Sequence, residues 1–136
     1  MADGLHITAL VVSTWRGSDV AETRLEGDAL SVDAVLAAVR ALDGEERNDL
    51  YLESAGEAAM VVAGGPELCF VYATYDNEAF LVPESDRDGA PVELMAGGQV
   101  GTFPADTVVD KEVAATLAAT WARTGRLDER FRWRES

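Results

Sequence analysis

The chain has 136 residues, 48% of them hydrophobic, and a net charge of −14 from 11 basic and 25 acidic side chains. That length supports one hydrophobic core and is too short for two full ones, so a single domain over residues 1–136 is expected. The negative charge argues against nucleic acid or an anionic membrane as a direct partner, and one histidine (His6) with one cysteine (Cys69) excludes internal disulfides, Ser-His-Asp triads and multi-histidine metal sites within one chain.

In chain order, Leu5 to Val12 is an apolar, β-rich run that predicts a first strand, and the polar stretch from Ser13 to Asp28 predicts a turn or irregular hairpin. Ser31 then precedes Val32, Val35, Leu36, Val39 and Leu42, the spacing of an amphipathic helix with a serine N-cap, stopped by Asp43-Gly44. From Leu50 the period changes. Short apolar runs at Leu50 to Glu53, Ala59 to Ala63, Leu68 to Tyr75, Ala79 to Val82 and Val92 to Met95 alternate with turn signals, which predicts an antiparallel meander.

The stretch Gly97-Gly98-Gln99-Val100-Gly101-Thr102-Phe103-Pro104 places three glycines in five residues after the last of these runs. Glycine adopts positive φ without steric cost, so the cluster predicts a tight hairpin, with Val100 to Phe103 returning as a strand that Pro104 ends. A phosphate cradle would need a helix directly after the glycines and usually a lysine, and neither is present. Gly97, Gly98, Gln99, Gly101 and Pro104 are therefore read as structural, Gly98 and Gly101 through their backbone angles. Asp110 can cap a second helix carrying Val113, Ala114, Leu117, Ala118 and Trp121 and ending at Thr124-Gly125. In the tail, Phe131 and Trp133 stand among arginines, and Trp133 is expected to pack inward.

The fold class that follows is α+β: a single two-layer domain, a mostly antiparallel sheet of about five to six strands with two helices on one face. The other face would be partly open, displaying residues such as Tyr51, Glu53, Tyr72, Thr74 and Glu93. No run of 18 apolar residues occurs, and the N-terminus lacks a basic segment followed by an apolar one, so no membrane association and a cytoplasmic location are expected.

Little of the sequence reads as catalytic. Cys69 lies in the apolar run Leu68 to Tyr72 and fits a buried thiol. Glu84 to Gly89 resembles the start of a calcium loop, but its twelfth position is Met95 rather than a bidentate glutamate. No enzyme activity, cofactor or metal is expected. Charge is uneven, however: residues 43 to 110 hold 15 acidic and 2 basic side chains, whereas residues 123 to 136 hold 5 arginines against 3 acids. Solubility alone accounts for such a surface, and a partner with a basic groove would give it a function.

Four segments in order carry a resemblance: LDGEERNDLYL (Leu42 to Leu52), MVVAGG (Met60 to Gly65), AGGQVGTFPADTVVD (Ala96 to Asp110) and ARTGRLDERFRW (Ala122 to Trp133). Over about residues 40 to 133 the chain resembles the first-numbered Imm family of immunity proteins from bacterial polymorphic toxin systems. The resemblance implies a small α+β protein that binds and neutralises a cognate toxin domain, frequently a nucleic-acid deaminase. The toxin-facing residues would be the acids of three turns: Asp43, Glu45 and Glu46; Asp76 and Glu78; Glu84, Asp86 and Asp88. A small-ligand-binding or accessory subunit of a metabolic complex, with the sheet face as its pocket, is the alternative, and an enzyme using carboxylates alone is a third reading.

Overall fold

Side chains that alternate at period two build most of this molecule. In the computed structural model, which describes residues 5–136, the elements in order are β1 (Ala9–Arg16), β2 (Asp19–Leu25), α1 (Val32–Arg40), β3 (Asp49–Glu53), β4 (Ala59–Gly64), β5 (Leu68–Thr74), β6 (Leu81–Pro83), β7 (Val92–Ala96), β8 (Gln99–Phe103), β9 (Val108–Asp110), α2 (Lys111–Thr124) and β10 (Trp133–Glu135). Eight strands form one sheet in the order β10-β6-β5-β4-β3-β1-β2, with β9 beside the start of β5. Its pairings are antiparallel. β7 and β8 form a separate two-stranded sheet.

Alternation sends Leu10, Leu50, Leu52, Met60, Val62, Cys69 and Val71 to one face, where they share a core with Val35, Val39 and Leu42 around α1 and Leu117, Ala118 and Trp121 of α2. Ser31 caps α1 as its sequence position predicts, its Oγ accepting from the Ala34 N–H at 3.0 Å. Gly125 ends α2 in the left-handed conformation, and its N–H donates to the Trp121 carbonyl at 2.8 Å. The two-layer α+β architecture is as expected.

Several details differ from the sequence reading. The sheet is larger than five or six strands. The first strand begins at Ala9 rather than Leu5, because residue 6 turns to the second helix: the His6 N–H donates to the Ala122 carbonyl at 2.7 Å. The stretch after Ser13 holds a regular hairpin partner, β2, paired with β1 from Arg16↔Asp19 to Leu10↔Leu25. The glycine-rich hairpin does not extend the main sheet but packs on its face as β7 and β8. Asp110 occupies the N-cap position of α2 without capping it, since its carboxylate takes the Arg87 guanidinium at 2.7 Å instead. Thr74, expected on the open face, is buried beneath the turn that follows it, where its hydroxyl accepts from the Asn77 N–H at 2.8 Å. Glu93 belongs to the separate hairpin.

Candidate functional site

Strand register fixes what the second sheet face presents. Val11 lies opposite both Arg24 and Tyr51, Tyr51 opposite Val61, and Val61 opposite Tyr72, so five strands place one residue each in a row: Arg24, Val11, Tyr51, Val61, Tyr72. Phe80 extends the row with an edge contact to Tyr72, ring centroids 5.7 Å apart. Val11 and Val61 are buried between their larger neighbours, while Tyr51 is 38% exposed. The adjacent row is Asp49, Ala63, Phe70 and Val108. The β7–β8 hairpin covers the far part of that row, with Phe103 stacked on Phe70 at 4.3 Å and Leu94 packed on Gly64. The face between hairpin and β2 stays uncovered.

A small polar cluster holds the hairpin in place. Its turn residues, Gly97 and Gly98, both have positive φ (59° and 80°), the geometry of a two-residue type I′ hairpin turn. Gly98 also approaches Trp15 so closely that a Cβ there would lie 2.6 Å from two carbons of the indole ring. Its N–H donates to Asn48 Oδ1 at 3.1 Å, and the fully buried Asn48 donates from Nδ2 to the Glu45 carbonyl at 2.8 Å while its own carbonyl accepts from the Gly64 N–H at 2.9 Å. Asn48 thereby joins three segments. Trp15 completes the brace by donating from Nε1 to Asp49 Oδ1 at 3.0 Å and from its backbone N–H to the Glu46 carbonyl at 2.7 Å. Gly101 differs from the expectation. Its φ lies outside the left-handed region, and what excludes a side chain is space, with Phe103 ring atoms 2.9 and 3.0 Å from the Cβ position. Gln99 and Pro104 are exposed at the two ends of β8.

The acids of the three turns divide between the ends of the sheet. β3 and β5 run the same way, so Asp49 and Phe70 mark one end and Glu53 and Thr74 the other. Asp43, Glu45 and Glu46 precede β3 at the first end, where Gly44 and Gly65 pack backbone against backbone. Asp76 and Glu78 follow β5 at the second end. Glu84, Asp86 and Asp88 follow β6, which returns towards the first end but at the β9 edge, where Arg87 bonds Asp110. Two of these acids shape their own loops. Asp43 Oδ1 accepts from the Glu45 and Arg47 N–H groups at 2.8 and 3.0 Å, and Asp76 Oδ1 from those of Glu78 and Ala79 at 2.9 and 3.0 Å. These backbone donors hold both carboxyls below the usual aspartate value. Glu45, Glu46, Glu78, Asp86 and Asp88 point to solvent.

The tail is tied down by Asp128, which is 4% exposed. Its carboxylate accepts from Arg130 Nε and N at 2.9 and 3.0 Å, from the second Arg130 nitrogen at 2.6 Å, and from the Thr120 hydroxyl at 3.0 Å; its carbonyl accepts from Trp133 Nε1 at 3.0 Å. Arg130 above all holds the Asp128 carboxyl down to about 2. Trp133 packs against the core from β10, and Arg134 pairs with Asp106 through two hydrogen bonds of 2.9 and 2.8 Å. The closing motif TGRLDERFRW is thus a docking device for the last strand.

Cys69 is wholly buried, and burial pushes its thiol up to about 11, which removes thiolate character at neutral pH. Among the described residues no three His, Cys, Asp or Glu side chains are placed to hold a metal, and no helix is long and apolar enough to cross a membrane. The fold and this face define an α+β protein with an open antiparallel sheet whose uncovered side presents aromatic and acidic groups.

The model of the family described as Immunity protein Imm1 matches residues 21–135, and the chain belongs to that family. The match runs from β2 to β10 and so takes in β2 and α1, which lie before the segments that carry the resemblance. Membership implies a toxin-neutralising role with a cognate toxin protein as the partner. No curated protein matches the chain.

Proposed function

We propose that this protein is a cytoplasmic, non-enzymatic immunity protein that binds a cognate secreted toxin acting on nucleic acid, a deaminase being the kind the resemblance implies, and occludes its active site or substrate groove. Membership of the Imm1 family over residues 21–135 carries the reading. The net charge of −14 supports the choice of partner, because an enzyme that grips a phosphate backbone needs a basic groove. The acids of the three turns, Asp43, Glu45, Glu46, Asp76, Glu78, Glu84, Asp86 and Asp88, supply long-range attraction rather than one contact surface, since they stand at both ends of the sheet. Glu45, Glu46, Glu78, Asp86 and Asp88, all exposed, are available for that purpose. No cofactor is required.

Charge of this kind raises association rates by about 10- to 1,000-fold at low salt. The test is to neutralise each turn separately, Asp to Asn and Glu to Gln, and to measure association with the cognate toxin across ionic strength. At least one neutralised turn should slow association and flatten its salt dependence with the fold intact. Rates equal to wild type at every salt, for all three turns, would return these acids to a role in solubility.

A further inference from the structure

Asp49 sits on the open face two residues before Tyr51 and is 6% exposed. Its Oδ1 accepts from the Trp15 indole, and its Oδ2 has no protein partner among the described residues yet is not sealed from solvent. Among the described residues no arginine or lysine forms an ion pair with it. Arg24, the cation of the neighbouring row, is already held by Glu53 at 2.7 Å and Glu26 at 3.1 Å. A carboxylate this buried is ordinarily matched by a cation or several donors, because removing it from water is costly. Here a single neutral N–H is what the described residues provide.

Beside this carboxylate stand two tyrosines whose hydroxyls make no hydrogen bond among the described residues, in contrast to Tyr75, whose hydroxyl accepts from the Leu127 N–H at 3.1 Å. Burial first, then the charges of Asp49 and Glu22, hold the Tyr51 hydroxyl above its ordinary value; burial, Tyr51 and Asp49 do the same for Tyr72. Strand register puts Asp49 and Tyr51 on one face of β3 and Tyr72 on the same face two strands away, with Val61 between the two tyrosines.

We propose that Asp49, Tyr51 and Tyr72 form a notch that receives an arginine side chain of the cognate toxin, the carboxylate taking the guanidinium and the tyrosines flanking its plane. Arginine fits better than lysine because its planar fork matches a carboxylate, stacks on aromatic rings and is more weakly hydrated. Unpaired acceptors, namely Oδ2 and two hydroxyl oxygens, meet a group that is all donors. The proposal rests on the immunity reading and deepens it: a toxin that grips phosphate carries such arginines in its groove, and capturing one places the sheet over that groove.

Asp49→Asn is the decisive variant, because asparagine keeps an oxygen for the Trp15 indole and removes only the charge. Free Asp49→Asn should be as stable as wild type or more so, whereas its affinity for the purified cognate toxin, measured by calorimetry, should fall about 10- to 100-fold. Tyr51→Ala and Tyr72→Ala should each weaken binding about tenfold, and Asp33→Asn, on the exposed side of α1, should leave it unchanged. Affinity within twofold of wild type for Asp49→Asn would overturn the notch while leaving the immunity reading standing; wild-type protein that fails to bind the toxin would overturn the immunity reading itself. A second arm judges the notch without the toxin: N-acetylarginine amide, titrated at constant ionic strength, should shift the Trp15 indole N–H resonance saturably in wild type and not in Asp49→Asn. Absence of that shift, or an equal shift from N-acetyllysine amide, would overturn it.

Discussion

Replacing Gly98 by alanine tests how the glycine-rich hairpin is held, and Gly97 beside it provides the control. Both residues have positive φ, 59° at Gly97 and 80° at Gly98, so alanine at either meets the same kind of backbone strain, about 1 kcal/mol. Only Gly98 faces a wall. A Cβ at Gly97 meets nothing within 4 Å, whereas one at Gly98 lies 2.6 Å from two carbons of the Trp15 ring. That ring cannot retreat freely, since its Nε1 is bonded to Asp49 and its backbone to the Glu46 carbonyl. Overpacking of this kind costs about 1–3 kcal/mol, so Gly98→Ala should lose about 2–4 kcal/mol in all and Gly97→Ala about 1 kcal/mol. Urea unfolding followed by far-UV circular dichroism reads both, with the slope checked for constancy. Equal losses for the two variants would show that the Trp15 contact constrains nothing and would refute the brace.

The remaining predictions concern the tail and the core. Truncation after Arg130 removes Trp133, β10 and the Arg134–Asp106 pair, and should lower the denaturation midpoint by an amount equivalent to about 2–4 kcal/mol; an unchanged midpoint would mean that the tail is free. Asp128 has a folded-state value of about 2, below that of an unfolded aspartate, so its contribution is complete above about pH 4 and lost as pH falls towards 2. Because Arg130 is 70% exposed, that contribution is about 1–2 kcal/mol after allowance for solvent screening, and Asp128→Asn should remove it at neutral pH and flatten the acid limb of the stability curve. Trp121 is wholly buried with its indole N–H unpaired among the described residues, so Trp121→Phe, which deletes that donor, should cost under about 1 kcal/mol, and Trp121→Ala about 3–5 kcal/mol. Thermal or urea unfolding of the pair separates the two, and a large loss on Trp121→Phe would refute the orphan-donor argument.

What the sequence made legible follows the burial of each element. α1 and α2 were readable because each lays an apolar stripe on the core, and β3 to β5 because they are the buried centre of the sheet. β2 was not, since six of its seven residues are exposed and none is buried, so no alternation of apolar with polar marks it. β9 and β10 were missed for their brevity. Each is three residues long and exists through pairing with strands distant in sequence, β5 and β6. The hairpin was visible in its glycines, but its place across the sheet depends on Asn48, Trp15 and Phe103, which no local pattern connects. Tyr51 and Tyr72 were expected on the open face, whereas Asp49 was not singled out: it looked like one more acid in an acidic stretch, and only its burial without a cation distinguishes it. The exposed acids of the turns were legible as charge, not as a surface, because sequence alone does not say that Asp76 and Asp43 lie at opposite ends.

The central claim, that this chain neutralises a toxin by covering its active site or groove, meets its most direct test in a titration. The cognate toxin domain, purified and assayed on its own substrate at fixed concentration, should lose activity linearly as the protein is added and reach zero at one equivalent. Activity that persists in the presence of a large excess would contradict the account.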